Sequence, residues 1–234
     1  MKTVLRVCAT GDGMKILSAG GLSYVRFPAS QMGVYLDNIG DNLAKPHTAA
    51  EVLALCPEAE AVLDGPMFEI ADGTGEYAKY KKGKLDYRYL DTHDGDNASG
   101  GTATDRKGCT LSIVGGVPGW SDGDSVAPGS SVAIQFYPTL VRQGVVVASA
   151  TVNTSKVWRA GVGSIGNDIV FAVMVGTMAE FAIALLALGC LDAAYGDGGG
   201  SARLAVREAG VPSRGSSENR RVPSWITCEP NRAR

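Results

Sequence analysis

The chain has 234 residues and a mass of 24.3 kDa, enough to bury about 70% of the surface its unfolded form would expose. Hydrophobic residues make up 45% and charged residues 20%, with a mean hydropathy of +0.04, which excludes a disordered acidic or basic tail. With 22 Lys and Arg against 24 Asp and Glu the net charge is −2, so nothing electrostatic calls for nucleic acid or an anionic membrane. Aromatics at 7% argue against a base-stacking platform as well.

Glycine is the outlier, with 31 residues, about twice the usual share. They lie among apolar runs without a fixed period, which fits tight turns between short strands. Cys8, Cys56, Cys109, Cys190 and Cys228 are isolated and odd in number, and no two form a Cys-x-x-Cys. Neither a disulfide framework nor a zinc site is expected; Cys56 and Cys190 each close an apolar helical stretch as reduced thiols. The N-terminus lacks an apolar run of secretory length, and Ile169 to Leu191 divides into a strand and a helix. The expectation is therefore a soluble cytoplasmic protein made without export, organised as one domain over residues 1–234.

In chain order, Thr48-Ala-Ala-Glu51 is a capping box that opens a short helix, which Pro57 stops. Ala61-Val-Leu63 reads as a buried strand running into the turn Asp64-Gly65-Pro66. From Asp72 to Gly129 the sequence is polar and reads as long loops and edge hairpins. Within it, Asp94-Gly-Asp96-Asn97 partly matches a calcium loop, but Ala98 stands where a third ligand belongs. Strands are predicted at 131–136 and 144–152, then a hairpin of 157–163 and 168–175 around Ile165-Gly166-Asn167.

Thr177-Met-Ala-Glu180 is a second capping box, and its helix runs to Leu188 with Gly189 as a left-handed stop. Being apolar nearly all round, this helix is expected to be central and buried. A short strand over 191–195 leads to Asp197-Gly198-Gly199-Gly200-Ser201, and 202–206 makes a last strand. From Ser201 onward the chain carries seven arginines against three glutamates. The predicted architecture is α+β, a mixed, largely antiparallel sheet packed against two main helices.

The triglycine run carries the strongest chemical signal. Backbone N–H groups without side chains approach a ligand closely and form an anion-binding nest. Neither His47 nor His93 lies in a nucleophile motif and no Gly-x-Ser-x-Gly elbow exists, so Ser/His/Asp catalysis is disfavoured.

Over roughly residues 60 to 226 the chain resembles the phosphodiester glycosidases, whose animal member removes N-acetylglucosamine from a sugar phosphodiester. Ala61 to Phe68 is similar to that family's Asn-Gly-Gly-Phe-Phe turn. Tyr137-Pro138 to Gly144 resembles its Pro-x-Leu-Val segment, and Trp158-Arg159 to Gly163 its Arg-Thr-Ala-Ile-Gly strand. The capped helix followed by Asp197 to Ser201 is the nearest of the pieces, and Glu218 to Pro223 resembles the terminal Glu-Arg-Pro-Val segment. Asp64 replaces the family's Asn, Pro66 and Met67 replace a Gly and an aromatic, and Met174-Val175-Gly176 stands where Asp-Gly-Arg is usual. Relatives of this kind occur in phage genomes.

The resemblance implies hydrolysis of a glycosidic bond to phosphate in a sugar phosphodiester or nucleotide-like ligand. The alternative is a protein that sequesters such a sugar phosphate or nucleotide messenger, for example a phage anti-defence protein. Cleaving a sugar–phosphate acetal passes through an oxocarbenium-like state normally served by two carboxyl groups. Asp197 is the candidate nucleophile or general base, with Asp64 or Glu218 as its partner. Arg159 is the candidate phosphate clamp, because a guanidinium fork matches phosphate oxygens. Gly65, Gly198, Gly199, Gly200 and Arg220 would add donors, and Ser201 would bond the substrate or orient Asp197. Arg203 alternates out of a strand and is expected to face solvent. No cofactor is implied, no ligand spacing demands a metal, and self-association stays open.

Overall fold

The computed structural model describes residues 14–36, 38–40, 43–66, 68–70, 83–85, 89–91, 108–147, 153–218 and 220–230. Its frame is two antiparallel sheets packed face to face. The larger has the order β1 (Leu17–Ala19), β2 (Leu22–Pro28), β16 (Asp168–Gly176), β15 (Val157–Ile165), β17 (Asp192–Gly198), β13 (Thr139–Arg142) and β14 (Val145–Val146). The smaller has the order β19 (Arg214–Gly215), β18 (Arg203–Val206), β6 (Ala61–Asp64), β20 (Ser224–Cys228) and β3 (Met32–Leu36). A third sheet runs β11 (Val117–Asp122), β10 (Cys109–Val114), β12 (Val132–Phe136) and β9 (Tyr89–Asp91). A fourth joins β4 (Asn38–Gly40), β5 (Leu43–Ala44), β8 (Gly83–Leu85) and β7 (Phe68–Ile70). With two helices beside these antiparallel sheets, the fold is α+β, as the sequence predicts.

Alternation along the strands makes the core. Val25, Phe27, Val162, Ile169, Phe171 and Val173 point from the larger sheet toward Leu63, Leu204 and Ile226 of the smaller one. Phe27 and Phe171 meet edge to face with ring centroids 4.7 Å apart. The larger sheet is covered on its other side too, which is why β16 reads as a continuous apolar run, Ile-Val-Phe-Ala-Val-Met-Val. There, α2 (Met178–Leu188) packs Phe181, Ala182 and Leu185 onto Tyr24, Val170, Ala172 and Tyr195. The opposite face of the smaller sheet carries α1 (Ala49–Leu55), with Val52 against Val62 and Trp225.

Both helices start where the capping boxes predict. Glu180 N–H donates to Thr177 Oγ1 at 3.1 Å and Thr177 N–H to the Glu180 carboxylate at 2.8 Å; Thr48 and Glu51 repeat the pattern. Gly189 ends α2 at φ 108, in the left-handed region. The 157–175 hairpin also forms, as β15 and β16 in unbroken register from Val157↔Gly176 to Ile165↔Asp168.

Other expectations are corrected. The helix α2 is not central; it lies on the outer face of the larger sheet, with Ile183 57% exposed, because only one stripe of an apolar helix can reach a flat sheet. The stretch 109–122 forms a hairpin, β10–β11, as that reading allows, but β10 is a buried middle strand rather than an edge. Within the predicted strand 144–152, the described part is the short β14, while β13 before it pairs with β17. Cys109, Cys190 and Cys228 are buried free thiols, with burial pushing Cys109 up to about 11, whereas Cys56 is only partly buried. The sketched calcium loop at 94–98 lies outside the described residues. Among the described residues no helix is long and apolar enough to cross a membrane.

Candidate active site

Asp64 is the last residue of β6, between β18 and β20, and is fully buried. Its Oδ1 accepts the Arg203 backbone N–H at 3.0 Å, but its Oδ2 has no hydrogen-bond partner. Burial, and then the negative charge of Asp197, drives its pKa well above the ordinary carboxylate range, and the Arg203 N–H only partly opposes this. Asp64 is therefore a carboxyl group that gives up its proton less readily than an ordinary aspartate.

Asp197 lies near the end of β17 and is partly exposed. The Gly198 N–H donates to its Oδ1 at 2.7 Å, and the Ser201 hydroxyl also hydrogen-bonds to the carboxylate. Burial raises its pKa, while those two donors and the nearby charge of Arg220 pull the other way. The two aspartates thus sit in environments that separate their titrations. Asp64 has backbone N–H donors, the charge of Arg203 and no solvent; Asp197 has two donors, the charge of Arg220 and partial exposure. Both carboxyl groups hold a proton more tightly than an ordinary aspartate, Asp64 the more strongly.

Glycines make this proximity sterically feasible. A β-carbon on Gly196 would stand 3.2 Å from the Asp64 carbonyl oxygen and 3.4 Å from that of Gly65, so the ends of β17 and β6 touch through backbone. On Gly65 it would meet Ser224 Oγ at 2.3 Å. On Gly200 it would strike Glu218 Oε2 at 2.2 Å and Arg220 Nε at 2.3 Å. Those two side chains form an ion pair of 2.6 Å that fills the place of a side chain at position 200. Asp64, Gly65, Asp197, the three glycines, Ser201, Glu218 and Arg220 are thus neighbours in space.

The backbone donors of the corner are partly used by the chain itself. The Gly198 N–H goes to Asp197, and the Gly199 N–H to the Trp158 carbonyl at 2.9 Å. Arg159 pairs with Gly198 across β15 and β17 but is only 3% exposed. Its Nε donates to the Gly176 carbonyl at 3.3 Å and its Nη1 to the Tyr195 hydroxyl at 3.2 Å. Its Nη2 donates to Asn153 Oδ1 at 3.0 Å and to the Ser155 carbonyl at 2.7 Å. This guanidinium joins the cluster by way of Tyr195 and is tied down on both its Nη atoms.

Two residues near the pair escape sequence reasoning. Tyr195 precedes Asp197 by two positions on one strand, a spacing that hints at a shared side. Arg203 does not simply face solvent: its backbone holds Asp64, and burial lowers the pKa of its guanidinium while the Asp64 charge favours its charged form. Only the β6–β18 register reveals that placement. Elsewhere, a cavity of about 720 Å³ lies between the β1–β2 hairpin and α2, lined by Tyr24, Met174, Val175, Ile183 and Leu188. None of the aspartates above lines it. Among the described residues no three His, Cys, Asp or Glu side chains come together as a metal site.

The phosphodiester glycosidase family profile matches residues 58–228, which spans the aspartate pair, the glycine corner and the Glu218–Arg220 pair. The chain belongs to that family. No curated protein matches it. Among solved structures, it is similar to the zebrafish N-acetylglucosamine-1-phosphodiester alpha-N-acetylglucosaminidase catalytic domain auto-inhibited by its pro-peptide. That likeness has a TM-score of 0.56 at 17% identity, over 89% of this chain and 75% of the other. A structure from Burkholderia pseudomallei, named as an exported protein, has a TM-score of 0.55 at 12% identity, over 89% and 74%. At such identities these likenesses speak to the fold.

Proposed function

We propose that this phosphodiester glycosidase hydrolyses the bond between a sugar and phosphate in a small sugar phosphodiester, with Asp197 and Asp64 as its carboxyl pair. The observation that carries this reading is the unequal environment of two adjacent aspartates, one with an unpartnered buried oxygen. Glycosidic cleavage needs one carboxylate to attack the anomeric carbon or activate water, and it gains from a second group that stays neutral. Asp197 takes the first role. Asp64 takes the second, as the neutral neighbour that leaves the charge of the pair on Asp197. Phosphate leaves as a weak base, so this help is modest and stabilisation of charge matters more.

Glu218, bound to Arg220 and more than half exposed, is better suited to holding that arginine in place. Arg220, whose charge already reaches Asp197, is the cation placed to meet the phosphate, beside Ser201 and the glycine corner. Arg159 contributes its charge from behind this arrangement. The substrate class to try first is the one in the zebrafish protein's name, an N-acetylglucosamine-1-phosphodiester.

Mass spectrometry of N-acetylglucosamine-1-phospho methyl diester, other sugar phosphodiesters and ADP-ribose-type nucleotides, each incubated with the protein, tests the reading. Free sugar and phosphomonoester are expected from at least one of them. Intact ligand recovered only after denaturing the protein would instead establish sequestration.

A further inference from the structure

Tyr195 is 4% exposed, and its hydroxyl oxygen accepts Arg159 Nη1–H at 3.2 Å. The phenol's own O–H has no acceptor among the described residues. Buried polar hydrogens are seldom left in that state, and a bound ligand would supply the acceptor that the described residues do not. The hydroxyl abuts Gly198, where a β-carbon would collide with the oxygen, so only glycine leaves room for it. The hydroxyl lies within electrostatic reach of Asp197.

Arg159 is fixed by its bonds to Gly176, Asn153 and Ser155 and cannot swing toward a ligand without breaking them. What it does is draw electron density from the phenol oxygen, which strengthens the O–H as a donor.

We propose that Tyr195 is a substrate-contacting residue whose hydroxyl, aimed and polarised by Arg159, donates a hydrogen bond to a phosphate oxygen beside Asp197. The inference rests on the hydrolase reading above. As the bond from the anomeric carbon to oxygen breaks, its electron pair moves onto the departing phosphate, and the hydrogen bond strengthens as that charge grows. The proton stays on Tyr195. Burial pushes the phenol's pKa up to about 12, so the donor is present at all ordinary pH values.

The test compares wild type and Tyr195→Phe on N-acetylglucosamine-1-phospho methyl diester, with binding of N-acetylglucosamine 1-phosphate measured by calorimetry. The expected result is a kcat lower by on the order of 10²-fold with KM within about threefold, since the bond matters most in the transition state. Unchanged kcat overturns the proposal. If wild type binds the monoester but cleaves nothing, the hydrolase reading falls alone; Tyr195 then stands on about fivefold or greater weaker binding in the variant, and falls on equal binding. Should Tyr195→Phe fold poorly, 3,5-difluorotyrosine at the same position keeps the shape and acidifies the phenol. Activity must then decline at a lower pH than in wild type, and a superimposable pH profile rejects the role.

Discussion

Asp64 and Asp197 are the same amino acid with opposite assignments, and the difference is environmental. Asp64 loses solvent on all sides, which its backbone donors and the charge of Arg203 only partly offset, whereas Asp197 keeps partial exposure, two donors and the field of Arg220. The folded protein holds the Asp64 proton at pH values where the unfolded chain has released it. Its contribution to stability is therefore intact below the ordinary aspartate range and declines as pH rises above it. Asp64→Asn should flatten that decline and raise the melting temperature near neutral pH relative to wild type. Melting curves from pH 4 to 8 check this, and parallel curves would mean that Asp64 is ionised. Asp197→Asn should lower kcat by about 10²–10⁴-fold with the fold intact by circular dichroism; full activity would remove Asp197 from the mechanism. Both aspartates were legible in the sequence, because each ends an apolar strand at a glycine turn. Tyr195 and Arg203 were not, since their contacts depend on a strand irregularity and a cross-strand register that local pattern does not encode.

Helix starts and the long hairpin were readable because their signals are local: Thr177 with Glu180, Thr48 with Glu51, and Gly166 at the turn. Thr177→Ala removes one half of the α2 capping box, which should cost about 1 kcal/mol and lower the melting temperature by about 2–4 °C. A calorimetric scan with no shift would show that packing of α2 on the sheet alone defines its start. Such packing rests on Gly161 and Gly163, where added β-carbons would meet the Ala194 carbonyl oxygen at 2.5 Å and Cys190 Sγ at 2.7 Å. What local pattern could not show is which apolar segments end up central. The five-residue β20 lies in an arginine-rich, polar tail, yet it is fully buried because β6 and β3 close both its edges. The reverse holds for α2, whose apolar composition suggested the centre of the molecule but whose outer side lines a groove.

The aspartate pair and the glycine corner lie at the contact between the ends of two sheets, where β17 of one meets β6 and β18 of the other. A net charge of −2 hides this, since Arg203 and Arg220 are gathered near two aspartates rather than spread evenly. The family match begins at residue 58, yet β2 pairs along β16 and β3 along β20, contributing Val25, Phe27, Met32 and Val34 to the shared core. A chain that starts at Lys45 should therefore lose cooperative thermal unfolding; a sharp transition near the full-length midpoint would show those strands to be dispensable. On the proposed reading, binding and hydrolysis both use the corner that these layers hold together, and only hydrolysis specifies which bond breaks. Turnover of N-acetylglucosamine-1-phospho methyl diester in ¹⁸O-labelled water resolves this directly. The label is predicted on the anomeric oxygen of the released sugar, with unlabelled methyl phosphate. Label in the phosphate, or no release of sugar at all, would contradict the account.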